Sequence, residues 1–188
     1  EDITFHIESS KYKYTRLLEK SEGAPLISIA AYFGSFNCYE YFLNTYIDIP
    51  NFKYSLLAYA CAGGNMSIIR DVESRYPDLL DEENKSNIDN LCNPGFQAIY
   101  HGHFDVVKWL FLKGYIFDMS EILIACSHGY EKIFDFLTEN LKIVENKEFF
   151  YDEMIQTTCY GGNVNILQKL MANYPQKKIP KKKYQRFI

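Results

Sequence analysis

A cysteine and a glycine pair lie together in the stretch YACAGGNMSII, residues 59–69. A thiol acts as a nucleophile where its surroundings lower its pKa, and a glycine-rich loop can hold a phosphate on its backbone N–H groups. The stretch therefore raises two possibilities, a reactive cysteine and a phosphate-binding loop. A phosphate loop of this kind ends in Lys followed by Ser or Thr. Asn65 and Met66 follow the glycines instead, which disfavours phosphate binding.

The cysteine and the glycine pair both recur along the chain. Three cysteines share one position, three residues before a glycine: Cys61, Cys126 and Cys159. The glycine pair occurs as Gly63–Gly64 and as Gly161–Gly162. A reactive thiol needs one special electropositive setting, whereas cysteines repeated at one position are typical of small, buried packing residues. We therefore interpret the three cysteines as packing residues and the glycine pairs as turns.

The glycines mark an internal repeat, which is the first feature to look for in a sequence. Five segments align: AAYFGSFNCYEYFL, ACAGGNMSIIRDV, AIYHGHFDVVKWL, ACSHGYEKIFDFL and TCYGGNVNILQKL. Their shared glycines are Gly34, Gly64, Gly102, Gly129 and Gly162. A small residue precedes each glycine by four positions, and mostly apolar residues follow it by four, five and eight. These small residues are Ala30, Ala60, Ala98, Ala125 and Thr158.

The repeated pattern predicts a helix hairpin. The small residue belongs to a first helix and lets a neighbour approach closely, and the glycine provides the backbone conformation with which helices often end. Downstream, the spacing of the apolar residues places them on one face of a second helix. One hairpin cannot bury that face alone, but stacked copies can. The sequence therefore predicts an all-α solenoid.

The residues of the third segment resemble a known family. Ala98–Leu110 has the pattern A-x-x-x-G-H-x-D-V-V-x-x-L, and GAPLISIAAYFG places two glycines eleven residues apart. Both are similar to the ankyrin repeat, and the chain over about residues 22–175 resembles the divergent ankyrin arrays of large protist families. The glycine spacings of 30, 38, 27 and 33 depart from the family's 33. The TPLH signature is intact nowhere, and PLIS at Pro25–Ser28 is its nearest counterpart.

The resemblance implies an ankyrin-repeat solenoid of stacked helix-turn-helix units, in a single domain over residues 1–188. Residues 1–21 lack the glycine pattern, so we expect a partial unit or an N-terminal cap there. Five degenerate repeats occupy about residues 22–175, and residues 176–188 form a basic tail. The polar 38-residue spacing is expected to contain a loop, with the acidic DLLDEEN solvated. Because the chain begins at Glu1 rather than Met, we expect a fragment of a longer protein.

The resemblance also implies a binding face. Ankyrin-type stacks present a concave face made of first helices and hairpin tips, which places the contact row at the two positions before each glycine. The aromatic and imidazole residues of that row are Tyr32, Phe33, Tyr100, His101, His128 and Tyr160. Aromatic side chains along a groove are natural hot spots, but these could equally pack against neighbouring units. His103 matches the ankyrin histidine that hydrogen-bonds the backbone of the adjoining turn.

Other chemistry has weaker support. A zinc pair of His101 and His128 with Cys126 or Cys92 is conceivable, but the usual ligand spacings are missing. A Cys/His nucleophile pair lacks a third orienting group. We therefore expect no metal, no cofactor, no small-molecule substrate and no enzymatic activity.

Charge and cysteine usage narrow the function further. The net charge is −4, but the tail contains six basic residues and no acid, so the remainder has 14 basic and 24 acidic residues, a net −10. The six are Lys177, Lys178, Lys181, Lys182, Lys183 and Arg186. An acidic body repels nucleic acid. The tail could be a solvated end, a nuclear-import signal, or a patch that binds anionic lipid or nucleic acid.

These observations favour a protein-interaction scaffold. Five cysteines without CxxC indicate a reducing compartment, and neither a secretory signal nor an apolar run long enough to span a bilayer is present in the sequence. We expect an intracellular protein, cytoplasmic or nuclear through the tail, that binds an unidentified protein partner. The alternatives are binding of an anionic surface or nucleic acid through the tail and, with the least support, a small Cys/His enzyme.

Overall fold

The computed structural model of the chain describes residues 25–45, 53–80, 93–141 and 147–173. Every regular element in these ranges is helical. Ten α-helices are described: α1 Leu26–Tyr32, α2 Phe36–Thr45, α3 Lys53–Gly63, α4 Met66–Arg75, α5 Pro94–Tyr100, α6 Phe104–Leu112, α7 Met119–His128, α8 Glu131–Asn140, α9 Lys147–Gly161 and α10 Val164–Asn173. The all-α prediction is confirmed, whereas the cap expected over residues 1–21 and the basic tail lie outside the described residues.

The chain divides into two compact units, residues 1–121 and 122–188. The boundary falls inside α7. In the first unit, α3 packs against both α1 and α5, so that the first helices of three successive repeats lie side by side. In the second unit, α10 packs against α9 and α8. The single domain expected from the sequence stays a prediction.

Each of the five aligned glycines ends a helix in the left-handed backbone region. Their φ angles lie between 65° and 76°, where residues with a Cβ are strained. In four repeats the N–H of the residue after the glycine donates to the carbonyl of the small residue four before it, as His103 does to Ala98 over 2.8 Å. This 6→1 hydrogen bond is the mark of a Schellman helix end. The prediction that glycine ends the first helix is confirmed.

The small and apolar positions of the repeat form the core. All five small residues before the glycines are buried. The second helices α4, α6, α8 and α10 bury the apolar face that their spacing predicts: Ile68, Ile69, Val72, Val106, Val107, Leu110, Ile133, Phe134, Leu137, Ile166 and Leu170. Fully burying such a side chain stabilises the fold by about 1.5–3 kcal/mol. Helix α2 departs from the pattern, because it buries Tyr39 but leaves Cys38 exposed.

The polar insertion after α4 is not a loop throughout. Its start, Pro77–Leu80, forms a short 3₁₀-helix, and the side chain of Leu79 is buried. An apolar residue in a polar stretch therefore anchors the beginning of the insertion. Residues 81–92, which include most of the acidic run, lie outside the described part of the chain.

Candidate partner-binding site

Four of the six predicted contact residues lie together in the first unit. Tyr32 ends α1 and Phe33 follows it, and in the same way Tyr100 ends α5 and His101 follows it. The repeat between them has only Ala62 and Gly63 at the equivalent positions. Because those two residues are small, the rings on either side can reach each other across the end of α3.

The aromatic rings form one continuous chain of contacts. The ring of Phe33 meets that of Tyr32 edge-to-face, with centroids 5.1 Å apart, and Tyr32 meets His101 in the same way at 5.6 Å. His101 meets Tyr100 at 5.3 Å, and Tyr100 stacks on Phe96 at 5.8 Å and an interplanar angle of 10°. Such spacings are those at which aromatic pairs attract one another. We call these five residues, Phe33, Tyr32, His101, Tyr100 and Phe96, the aromatic row.

The aromatic row is partly packed and partly exposed. Tyr32 packs against Tyr59 and Ala62 of the neighbouring repeat. Burial raises the pKa of its phenol, and the nearby Tyr100 raises it further. Phe33, by contrast, is 54% exposed. Tyr32 therefore packs against a neighbouring unit, one of the two alternatives left open by the sequence, whereas Phe33 presents an apolar ring to solvent; contact with a partner stays a prediction.

Close backbone contact explains the small residues beside the row. A Cβ on Gly63 would collide with the carbonyl oxygens of Tyr32 and Ala31. A Cβ on Gly64 would lie 2.5 Å from Nδ1 of His103. The glycine pair is thus a turn that allows two neighbouring repeats to approach.

His103 has the structural role that its position predicted. Its Nε2 donates to the carbonyl of Ala62 over 2.8 Å, in the turn of the preceding repeat. Two other residues that follow a repeat glycine do the same with a side-chain amide: Asn65 donates to the carbonyl of Gly34 at 3.0 Å, and Asn163 to that of Cys126 at 2.6 Å. Carbonyls at the end of a helix lack intrahelical partners. These side chains therefore join successive turns.

Only His103 among these three turn-linking residues was identified from the sequence. Asn65 has a second role, because its Oδ1 accepts from the N–H groups of Ser67 and Ile68 and so caps α4. The recurrence of an asparagine or histidine directly after the glycine is the signal that could have revealed the whole set. The side chains of asparagine and histidine are long enough for their N–H groups to reach the preceding turn.

The other two predicted contact residues, His128 and Tyr160, belong to the second unit. His128 is exposed; its Nδ1 lies 2.8 Å from Oγ of Ser127, and its ring stacks on Tyr130 with centroids 5.5 Å apart. Tyr160 is 92% exposed at the end of α9. Each is available at the end of a first helix, but the aromatic row itself is built from the first unit alone.

The repeated cysteines do not share one environment. Cys61 and Cys126 are buried, and burial raises the pKa of both thiols, that of Cys126 to about 11 despite a nearby Thr158 hydroxyl. The prediction that Cys159 is buried is wrong, since that side chain is exposed. Helix α3 has a first helix on each side, whereas α9 is the first helix of the last repeat in the pattern.

The described residues contain no group of three or more His, Cys, Asp or Glu side chains that could hold a metal ion. Cys92 lies outside them. None of the helices in the described ranges is long and apolar enough to cross a membrane. No family model, curated protein or solved structure matches the chain. The class that the structure defines is an all-helical protein in which the first helix of each repeated pair ends at a glycine.

Proposed function

We propose that this protein is an ankyrin-type repeat protein and acts as a non-enzymatic interaction module that binds a protein partner through the aromatic row. The observation that supports the proposal is the continuity of the row. Its rings extend over the ends of α1 and α5 and meet above the small residues of α3. A surface of this kind spans three successive repeats.

The arrangement of the row suits binding of a protein. Tyr32, His101 and Tyr100 are held by ring contacts and by burial, so little side-chain freedom would be lost when a partner binds. Phe33 adds an exposed apolar ring next to them. Rigid aromatic groups in a partly desolvated setting are where binding energy concentrates in protein interfaces.

The buried thiols support a non-enzymatic role. A cysteine nucleophile works as the thiolate, which needs an accessible setting that lowers the pKa. Burial has the opposite effect at Cys61 and Cys126, where it raises the pKa of the thiol. This counts against both as the nucleophile of a Cys/His enzyme.

We further propose that the protein acts inside the cell, in the cytoplasm or, through its basic tail, in the nucleus. The tail is also the basis of the alternative function, binding of an anionic lipid surface or nucleic acid. That alternative makes a separate prediction. Binding through clustered cations weakens steeply with added salt, and it would be lost on removal of residues 177–188.

The experiment that tests the proposal compares two exposed apolar side chains. Phe33→Ala truncates the most exposed ring of the row, and Leu112→Ala is the control, because Leu112 is 80% exposed at the end of α6 and outside the row. Tyr160→Ala tests the second unit in the same assay. Each variant and the wild type would be used to recover partners from a lysate of the cell that expresses the protein, after circular dichroism has verified folding.

The proposal predicts a protein that is recovered with the wild type and with Leu112→Ala but not with Phe33→Ala. Its binding to Phe33→Ala, measured with the purified partner, should be weaker by about tenfold or more, which is the usual effect of a hot spot. Equal binding by Phe33→Ala and wild type would contradict a role of the row. Loss of binding only in the chain without residues 177–188 would support the tail instead.

A further inference from the structure

Two helix starts in the first unit meet at one phenol. Asn93 caps α5, since its Oδ1 accepts from the N–H of Phe96 over 2.8 Å. The hydroxyl of Tyr115 lies 2.6 Å from that same Oδ1 and 3.0 Å from Oε1 of Glu121, in the first turn of α7. Tyr115 thus joins the beginning of one helix to the beginning of another.

Glu121 is held in place at this junction from its other side. Its Oε2 accepts from the N–H of Asp118 over 2.7 Å, and Oδ1 of Asp118 accepts in return from the N–H of Glu121 over 3.4 Å and from that of Ser120 over 2.8 Å. This reciprocal pattern is a capping box. Glu121 is only 3% exposed, and the absence of a side chain at Gly95 makes room for it, because a Cβ there would lie 2.5 Å from Oε1.

If Glu121 is ionised, this network has fewer hydrogen atoms than oxygen–oxygen contacts that need one. The phenol oxygen of Tyr115 contacts two other oxygens, Oδ1 of Asn93 and Oε1 of Glu121. The phenol has only one hydrogen to donate. The amide of Asn93 cannot be turned to supply another, because its oxygen already accepts from Phe96. With a carboxylate at Glu121, one of the two short oxygen–oxygen contacts would lack a hydrogen.

A proton on Glu121 satisfies every contact. The carboxylic acid then donates to the phenol oxygen of Tyr115, and Tyr115 donates to Asn93. Both contacts become ordinary hydrogen bonds, and Oε2 still accepts from the backbone of Asp118. Buried polar groups are strongly favoured when all of them have partners and costly when one lacks a partner.

The electrostatics of the site act in the same direction. Burial raises the pKa of Glu121 to about 7, and the neighbouring Asp118 carboxylate raises it as well, against the lowering effect of the hydrogen bonds from the Asp118 N–H and Tyr115. Among the described residues, the titratable groups that act on Glu121 are Tyr115 and Asp118, and neither is a cation. Helix α5 contributes Asn93 and Gly95 to this junction, which do not titrate.

We propose that Glu121 is an acid latch, a buried carboxyl whose proton completes the hydrogen-bond chain from α7 through Tyr115 to the cap of α5. Loss of that proton breaks the Tyr115–Asn93 hydrogen bond and loosens the start of α5. The folded protein then holds a proton that the unfolded chain, with an ordinary glutamate, releases at lower pH. The free energy of unfolding therefore decreases as pH rises from about 4.5 to about 7 and is unaffected by this group outside that window.

The test is Glu121→Gln, compared with Glu139→Gln as a control at an exposed glutamate. Glutamine keeps an N–H donor for Tyr115 and an oxygen for the N–H of Asp118, whatever the pH. We expect Glu121→Gln to melt at about the wild-type temperature at pH 5 and roughly 5 °C higher at pH 8. The control should follow the wild type at both values. A difference between Glu121→Gln and wild type that does not change with pH would overturn the proposal.

A direct titration keeps the proposal testable even if the glutamine variant packs poorly. The side-chain carboxyl of Glu121 can be followed by ¹³C NMR in the wild-type protein, with its resonance assigned by its loss in Glu121→Gln. A midpoint near pH 7 is the expected result. A midpoint at the ordinary glutamate value near 4.5 would show that the folded site holds a carboxylate, and the latch would be excluded.

Discussion

The turns at Gly63–Gly64 and Gly161–Gly162 share a sequence pattern and a backbone conformation. Gly64 and Gly162 both have a φ of 71°. Their surroundings differ, because a Cβ on Gly64 would lie 2.5 Å from the ring of His103, whereas a Cβ on Gly162 would meet nothing within 4 Å. The same local sequence therefore produces the same turn, while the described residues packed against that turn differ between the two copies.

The cysteines beside the two turns show the same contrast. Cys61 is buried in α3, and Cys159 at the equivalent position of α9 is exposed. Helix α3 packs against α1 and α5, while α9 is the first helix of the last repeat. A residue type that recurs at one position is thus not guaranteed one environment, since burial depends on which helices pack against that position.

Thiol labelling should give the largest difference between the two turns. Cys159 is accessible in the native state, whereas Cys61 reacts only after local or global unfolding, which costs several kcal/mol. We expect a thiol reagent to modify Cys159 at least about a thousandfold faster than Cys61, as measured by mass spectrometry of the labelled peptides. Exposed Cys38 and buried Cys126 are the matched controls for the two classes. Equal rates at Cys61 and Cys159 would contradict the contrast.

Substitution of the first glycine of each pair by alanine should destabilise both turns by a similar amount. A Cβ on Gly63 would collide with the carbonyl of Tyr32, and one on Gly161 with the carbonyl of Ser127. Backbone cannot move aside as a side chain can, so we expect each Gly→Ala substitution to lower the free energy of unfolding by about 3 kcal/mol. Urea denaturation measures this decrease in the free energy of unfolding. Within an unobstructed helix the same substitution stabilises by about 1 kcal/mol, so a gain in stability at either position would refute the close contact.

Substitution of the second glycine of each pair should cost more free energy of unfolding in one turn than in the other. Gly64→Ala and Gly162→Ala both force a residue with a Cβ into the left-handed region, at about 1–2 kcal/mol. Gly64→Ala must also displace the His103 ring, which adds about 1 kcal/mol for the lost hydrogen bond. Gly114→Ala is the reference for strain alone, because Gly114 has a φ of 80° and open space around it. A cost at Gly64 no greater than at Gly114 would mean that His103 does not cover this turn.

The smallest expected effects concern the side chains that join successive turns. His103→Ala removes one hydrogen bond to Ala62 and should cost about 1 kcal/mol. Asn65→Ala removes the link to Gly34 and also the cap of α4, so it should cost about 2 kcal/mol. Chemical denaturation of the two variants gives the comparison. A cost at His103 that exceeds the cost at Asn65 would show that the cap contributes nothing.

Part of this site could be predicted because it follows from local rules. The glycine positions indicated where each first helix ends, and the resemblance to the ankyrin repeat implied the backbone hydrogen bond of His103. The resemblance placed Tyr32, Phe33, Tyr100 and His101 in one row before the glycines, and their binding role stays a prediction. The direct contact of Tyr32 with His101 was not predictable, because it depends on two non-adjacent repeats meeting above Ala62 and Gly63.

The sequence signalled only one edge of the acid latch, because Asp118 and Glu121 have the spacing of a capping box. Asn93, Tyr115 and Glu121 belong to no repeat position that recurs, and Tyr115 follows a helix end rather than lying on a periodic face. Their meeting depends on the path of the chain after α6 and on the space that Gly95 leaves. The raised pKa of Glu121 likewise comes from burial, which composition does not reveal.

By itself the sequence determined the helical class, the repeated hairpin and the conformation of its turns, because helix ends, glycine torsions and apolar spacing depend on residues within one turn of each other. Only the tertiary structure decided which equivalent residues are covered, which rings touch and which carboxyl retains a proton. Those properties depend on neighbours distant in the chain. Cys61 and Cys159 occupy the same position in the pattern, and packing alone makes one buried and the other exposed.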